Sequence, residues 1–171
     1  MNPKNRFMRK AILLVLFTLL LVNCANVKHL NDKNRSPILH KNPKKLFDPT
    51  PYAFCHSTGT TSKGSLIFIS GQSGAEDLKH TLSGDFKTQA HYALINLKTV
   101  LDDHNLTPED VLKITVLIVD HNEEKLKIWT EEMKEIWKNQ KYPASTLIPV
   151  PRLALDTMLI EVDAIAFTAK K

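Results

Sequence analysis

The chain has 171 residues, of which 43% are hydrophobic, and a formal charge of +5, which suits one globular core plus a tail. The charge is unevenly placed: residues 1–49 carry ten Lys/Arg against two Asp, whereas residues 50–171 carry thirteen Lys/Arg against sixteen Asp/Glu. A nucleic-acid binder would concentrate basic charge on its folded domain, so a net −3 there sets that class aside.

The first 24 residues have the layout of a secretory signal. Lys4, Arg6, Arg9 and Lys10 form a basic start, and Ala11–Val22 is an unbroken apolar run. A bilayer-spanning helix takes about 20 apolar residues, so this run is short for that role. It ends in Leu21-Val22-Asn23-Cys24, similar to a lipoprotein lipobox except that Asn23 stands where a small residue is usual. The expectation is an exported protein held at a membrane through lipidated Cys24. The alternative is an ordinary or uncleaved signal with Cys24 incidental. Residues 25–49, rich in Asn, Lys, Asp and Pro, read as a solvated tether too polar to fold alone. Cys55 then has no partner for an intramolecular disulfide and reads as a small buried hydrophobe.

Residues 50–171 read as a single folded domain. Tyr52–His56 is a candidate first strand, and Thr58–Ser65 a turn cluster. Leu66–Ser70 is a β-branched and aromatic run closed by Gly71, hence a strand. A polar loop leads to Asp85–His104, where Phe86, Ala90, Ala93, Leu94, Leu97, Val100 and Leu101 share one helical face, with Ser83 or Asp85 as cap. Thr107-Pro108-Glu109-Asp110 is a capped turn before the strand Val111–Asp120. A second helix over Glu123–Lys138, entered at Asn122 or His121, buries Leu126, Trp129, Met133, Ile136 and Trp137. Its glutamates Glu123, Glu124, Glu131, Glu132 and Glu135 read as a solvated side. Thr146–Val150 and Met158–Thr168 are the closing strands.

The order β-β-α-β-α-β-β predicts an α+β fold with both helices on one face of a sheet. In the last strand, Ile160, Val162, Ala164 and Ala166 alternate with Glu161, Asp163 and Ile165, which leaves apolar residues on both faces. A sheet with only one helical layer then needs a partner over its second face.

Four local signatures occur in order: Pro51-Tyr52, Ile69-Ser70-Gly71-Gln72, Asn96-Leu97 with Val100-Leu101, and Pro143-Ala144 with Leu159–Ala166. From Pro51 to Ala166 the chain resembles the RidA/YjgF family, whose best-known members hydrolyse reactive enamines and imines. The resemblance implies a chorismate-mutase-like fold, a homotrimer, and a small-molecule site in each of three clefts between subunits. It implies that Tyr52, Ser70 and Gly71 line the pocket. Imine hydrolysis needs a positioned water and a group to manage its proton, and Glu161, a carboxylate on a strand facing the cleft, is the candidate base or water anchor, with Tyr52 as an orienting or donating group. Deaminating members carry an arginine after Pro-Ala that grips the substrate carboxylate; here that position is Ser145. Leu147 stands where some members have cysteine, and Thr130 where deaminating members have a pocket asparagine. Arg152 reads as structural.

Losing a guanidinium–carboxylate contact removes about 1.5–3 kcal/mol, at least ten-fold in binding an amino-acid-derived substrate. A neutral metabolite therefore suits Ser145 better than a free acid, with weak or altered hydrolysis as the expectation. Two rivals stand beside it: a genuine deaminase using another cation such as Lys79 or His80, and a structural or chaperone-like protein whose cleft is vestigial. No cofactor is called for, and the histidines lack metal-ligand spacing. Gly59 and Gly64 have the outer spacing of a P-loop, but Ser65-Leu66 follows where Lys-Ser/Thr is needed. Cys55 and His56, adjacent on a strand, would point to opposite faces and form no thiolate–imidazole pair.

Overall fold

The computed structural model describes residues 38–170. The signal-like segment, Cys24 and the tether up to residue 37 lie outside the described residues. In chain order the elements are β1 (Ile38–Lys41), a 3-10 turn (Thr50–Tyr52), β2 (Ser57–Thr60), β3 (Gly64–Ser73) and α1 (Phe86–Asp103). A 3-10 turn (Pro108–Asp110), β4 (Val111–Val119), α2 (Glu123–Ile136), β5 (Ala144–Val150) and β6 (Ile160–Ala169) follow. β1 and β2 form a small antiparallel ribbon, and the main sheet has the order β3-β6-β4-β5. β6 runs antiparallel to both its neighbours, whereas β4 and β5 are parallel. A parallel pair needs a crossover, and α2 supplies it. The α+β class with two helices on a mixed sheet is thus as expected.

The N-terminal edge of the domain differs from the expectation. Ile38–Lys41, inside the segment read as tether, is a strand paired with Ser57–Thr60. Tyr52–His56 is not a strand. Pro51 sits in the first turn of the 3-10 segment, and Ala53 follows at φ 56°, so the chain reverses before it extends. A fixed proline φ suits a turn start. β2 lies instead in the Ser/Thr-rich stretch read as a turn, where Thr58 and Thr60 supply β-branched side chains.

Both helices begin where short polar caps end the extended chain. The Asp85 carboxylate accepts the Thr88 N–H at 2.7 Å, and the Asn122 side chain accepts the Lys125 N–H at 2.9 Å. The buried face of α1 includes Phe86, Ala90, Ala93, Leu94, Leu97 and Leu101. Together with Trp129 and Met133 of α2, it covers Ile69, Ile114, Val116, Ile118, Ile160, Val162, Ala164 and Ala166. One glutamate departs from the solvated-face reading. Glu132 is buried and meets His91 of α1 at 3.0 Å, because the interhelical contact reaches that row.

Gln89, fully buried, fastens the start of β6 to α1. Its amide nitrogen donates to Ser83 O (2.6 Å) and Thr157 O (2.8 Å), while its oxygen accepts from Leu159 N (2.8 Å). Gly74 passes so close to this helix that an added Cβ would lie 2.4 Å from Gln89 Cβ. Asn96 performs a matching task at the end of β3, donating to Ser73 O and Ala75 O. These pins fix the two strand ends between which Gly71 and Glu161 meet.

The opposite face of the main sheet has no covering layer among the described residues. Leu66, Phe68 and Ile148 are exposed there, Phe68 by 74%. Lys113 lies on the same face, bonded to Ile114 O and Thr146 Oγ1. Its burial lowers the ammonium pKa, against the opposing pull of Asp163.

Candidate functional site

The register separates the expected site residues into two groups. Ser145 and Leu147 of β5 pair with Ile114 and Val116 of β4, whose side chains belong to the helix-covered core. They therefore point to the helix side. Glu161 pairs with Leu117, one residue out of phase with the buried Val116 and Ile118, and so points to the open face.

On the helix side, Ser145 and Leu147 line a cavity of about 580 Å³ with Phe47, Tyr52, Phe54, Leu126 and Trp129. Such a volume is ordinary for a small-molecule site. Tyr52 stands at the mouth, half exposed, held by the 3-10 turn that Pro49 and Thr50 close. None of the lining side chains carries a charge. Thr130, one residue beyond Trp129, is buried and its Oγ1 has no partner among the described residues, but it does not line the cavity. A somewhat larger depression of about 660 Å³ lies around Glu109, Trp137 and Asn139, and it holds none of the expected site residues.

On the open face, the Glu161 side chain lies over the backbone of Gly71. A Cβ added at Gly71 would fall 1.8 Å from Glu161 Oε1, so only glycine leaves this carboxylate in place. The contact occurs at an irregularity between Ile69 and Gln72, where β3 slips relative to β6. Bulges of this kind re-aim side chains at sites. Ser70, also in the bulge, is exposed, and its carbonyl accepts from Gln72 Nε2 at 3.0 Å.

One chain therefore brings Tyr52 and Ser145 together, and separately Gly71 and Glu161, but it does not join the two groups. Lys79 and His80 join neither cavity wall. Their loop is tied by Asp77, whose carboxylate accepts from Lys79 N, Thr81 N and Thr81 Oγ1, and His80 Nε2 lies 2.8 Å from Ser73 Oγ. Arg152 forms an exposed pair with Asp156 at 3.1 Å. Among the described residues, no group of three or more His, Cys, Asp or Glu is placed to hold a metal ion.

Cys55 is buried, and burial pushes its thiol pKa up. Its imidazole neighbour is His40, not His56, with Sγ 3.9 Å from Nδ1. That nitrogen lies 2.9 Å from Tyr142 O, so it carries the proton and donates it to the carbonyl. The thiol in turn points at Ser57 O (3.4 Å). No base is left for the sulfur, and the group is a packed thiol.

Phe47 and Phe54 are cavity residues that the sequence reading missed. The available signal was the pair Leu46-Phe47, an apolar island in a polar segment just before Asp48-Pro49.

The chain is similar to several known proteins in sequence and fold. A RutC family protein of Pyrococcus abyssi is 31% identical over 108 residues, covering 61% of this chain and 80% of that protein. The 2-iminobutanoate/2-iminopropanoate deaminase of Salmonella typhimurium is 31% identical over 103 residues, 60% of this chain and 80% of the enzyme. Among solved structures, the Rid protein YyfB of Yersinia pestis superposes with a TM-score of 0.73 at 28% identity, covering 77% of this chain and 99% of that one. Escherichia coli TdcF with bound serine gives 0.56 at 25% identity, covering 74% and 100%. Residues 50–168 match the family model described as Endoribonuclease L-PSP, so the chain belongs to that family, the RidA/YjgF proteins.

Proposed function

We propose that the protein binds a small uncharged metabolite in a cleft that is completed by a second copy of the chain, with imine hydrolysis weak or altered. The observation that carries this reading is the cavity that Ser145 lines, which has no cation in its lining. Completion by a second copy is supported by the division of Tyr52 and Ser145 from Gly71 and Glu161 across the sheet. The exposed apolar residues on the Glu161 face give such a copy something to cover.

The deaminase similarity supports the chemistry. Hydrolysis of a C=N bond needs water delivered to the carbon and a group that takes its proton. Glu161 of one copy would hold the water, accept its proton as the oxygen adds to the carbon and pass that proton to the nitrogen to give the carbinolamine. The carbinolamine's hydroxyl proton would then move, again through Glu161, to the leaving nitrogen, giving a carbonyl compound and ammonia. Tyr52 of the adjoining copy would orient the ligand. What Ser145 cannot do is anchor a carboxylate through a planar fork of donors. An RNA-cleaving reading fits poorly, since the domain is net acidic and the cavity offers phosphate no basic side chain.

The test is imino-acid hydrolysis by the full chain beside Ser145→Arg and Glu161→Ala. Little turnover in the natural chain, rising about ten-fold or more in Ser145→Arg, is the expected result. Strong turnover in the natural chain that Glu161→Ala abolishes would instead favour the genuine deaminase, with its cation supplied from elsewhere. The membrane tether through Cys24 is a separate proposal. Metabolic labelling with a fatty acid should mark the natural chain and not Cys24→Ser, and equal labelling of both would dispose of it.

A further inference from the structure

We infer that Phe47, which lies outside the family-matched segment, is a specificity-determining wall of this cavity, and that the cavity selects a neutral ligand bearing a planar aromatic ring. The inference rests on the reading of the Ser145 cavity as a ligand site, and it adds the class of ligand and the residue that selects it.

The family match begins at residue 50. The twelve residues before it, 38–49, are nonetheless built into the domain as a strap. β1 pairs with β2 at one end. In the middle, Asn42 Oδ1 accepts the His56 N–H at 2.9 Å, and His56 Nε2 donates to Phe47 O at 2.9 Å. At the other end Asp48 Oδ1 accepts the Thr50 N–H at 3.0 Å. The backbone of Phe47 is thus held from both sides, and the ring has a defined place. It meets Tyr52, Phe54 and His56 edge to face, with centroids 6.3, 6.0 and 5.1 Å away.

The rings are fixed but not satisfied. Phe47 is 60% exposed and Tyr52 50%, both beside the cavity they line. Two adjacent aromatic side chains left open at a cavity mouth gain from an apolar planar group that covers them. Trp129, Leu126 and Leu147 continue the apolar lining, and Ser145 and the Tyr52 hydroxyl are its polar groups. A carboxylate or phosphate would be desolvated there without a counter-charge, which is costly. A flexible aliphatic ligand would gain less from edge-to-face and stacked contacts with four rings. A neutral ring carrying one hydrogen-bonding substituent for Ser145 meets every feature of the lining.

The experiment uses three probes of nearly the same shape on the full chain: benzamide (neutral), benzoate (anionic) and benzyltrimethylammonium (cationic). Binding is followed by calorimetry and by the indole N–H resonance of Trp129. Trp137 provides an internal reference, since it is buried elsewhere with its N–H on Pro108 O. Benzamide should bind at least about ten-fold more tightly than either charged probe and shift the Trp129 resonance alone. Phe47→Ala should weaken benzamide about three- to ten-fold, and Phe47→Leu, which keeps apolar bulk without the ring, should fall nearer to Ala than to the natural chain.

Equal or tighter binding of benzoate or of the cation would overturn the neutral class. An unchanged affinity in both Phe47 variants would overturn the role of the wall, and so would no binding of any probe. Sedimentation of the same samples separates this from the cleft reading. A monomer that binds benzamide with full Phe47 dependence would sink completion by a second copy while leaving the wall intact. Dissociation of Phe47→Ala into monomers would assign Phe47 to the contact between copies and overturn the wall.

Discussion

The two faces of the β3-β6-β4-β5 sheet are built from one alternating pattern and yet have opposite character. The face under α1 and α2 is packed shut, with Ile114, Val116, Ile118, Ile160, Val162 and Ala166 each at 0% exposure. The other face mixes Phe68 and Ile148 with Glu161, Asp163 and Lys113, and it is open. Each face also holds part of the site that the resemblance implies: Ser145 looks toward the helices and Glu161 away from them. A period-two strand separates its neighbours in this way by geometry alone. A site that needs residues of both faces must therefore be assembled by more than one chain or by a chain that wraps round the sheet edge. The described residues contain no such wrap.

If the faces differ as described, equal insults to them should have unequal effects. Ile160→Ala, on the closed face, removes a branched side chain that has no route to solvent. It should destabilise the fold by about 2–5 kcal/mol in urea unfolding at fixed protein concentration. Phe68→Asp, on the open face, should leave the single chain folded, with its circular dichroism unchanged. It should weaken self-association about thirty-fold or more, as expected for a hot-spot aromatic. A Phe68→Asp chain that assembles normally would show that the open face has some other purpose. An Ile160→Ala chain of natural stability would mean the closed face is not the core.

Much of this contrast was legible in the residues. The alternation in β6 gave both faces, and the 3.6-residue spacing of Ala90, Ala93, Leu94, Leu97 and Leu101 gave the helical cover. The motif Pro143-Ala144-Ser145 pointed to the cavity that Ser145 lines. What could not be read was anything set by distant pairing. Ile38–Lys41 has four residues and one apolar pair, too little to announce a strand, and it becomes one because β2 offers a free edge. Phe47 looked like part of a polar tether because its partners Tyr52, Phe54 and His56 gather around it only after Pro49 and Pro51 turn the chain. Glu132 was read as solvated from its acidic neighbours, and only the crossing of the helices reveals His91 above it. Side-chain pins such as Gln89 likewise leave no periodic trace.

The smallest expected effect concerns how the closed face keeps its cover. Asp85 caps α1, and hydrogen bonds from the Thr88 N–H and hydroxyl hold its carboxyl pKa below the ordinary value of 3.8. A carboxylate depressed in the folded state contributes stability that is present above its unfolded pKa. That contribution is lost as pH falls through the folded value, so the window lies below about pH 4. Asp85→Asn keeps a good cap and removes the titration. Near pH 6 the natural chain should be ahead only by the exposed charge–dipole term, about 0.3–1 kcal/mol, and the gap should close as the pH is lowered toward 3. The other depressed carboxyls on hydrogen-bonded turns, Asp48 and Asp77, remain in both chains. Subtracting one urea series from the other therefore isolates the helix cap. A gap that stays constant from pH 6 to pH 3 would remove Asp85 from the acid sensitivity of the helix layer. A closing gap would show that the cover of the closed face is fastened in part by a titrating group at its rim.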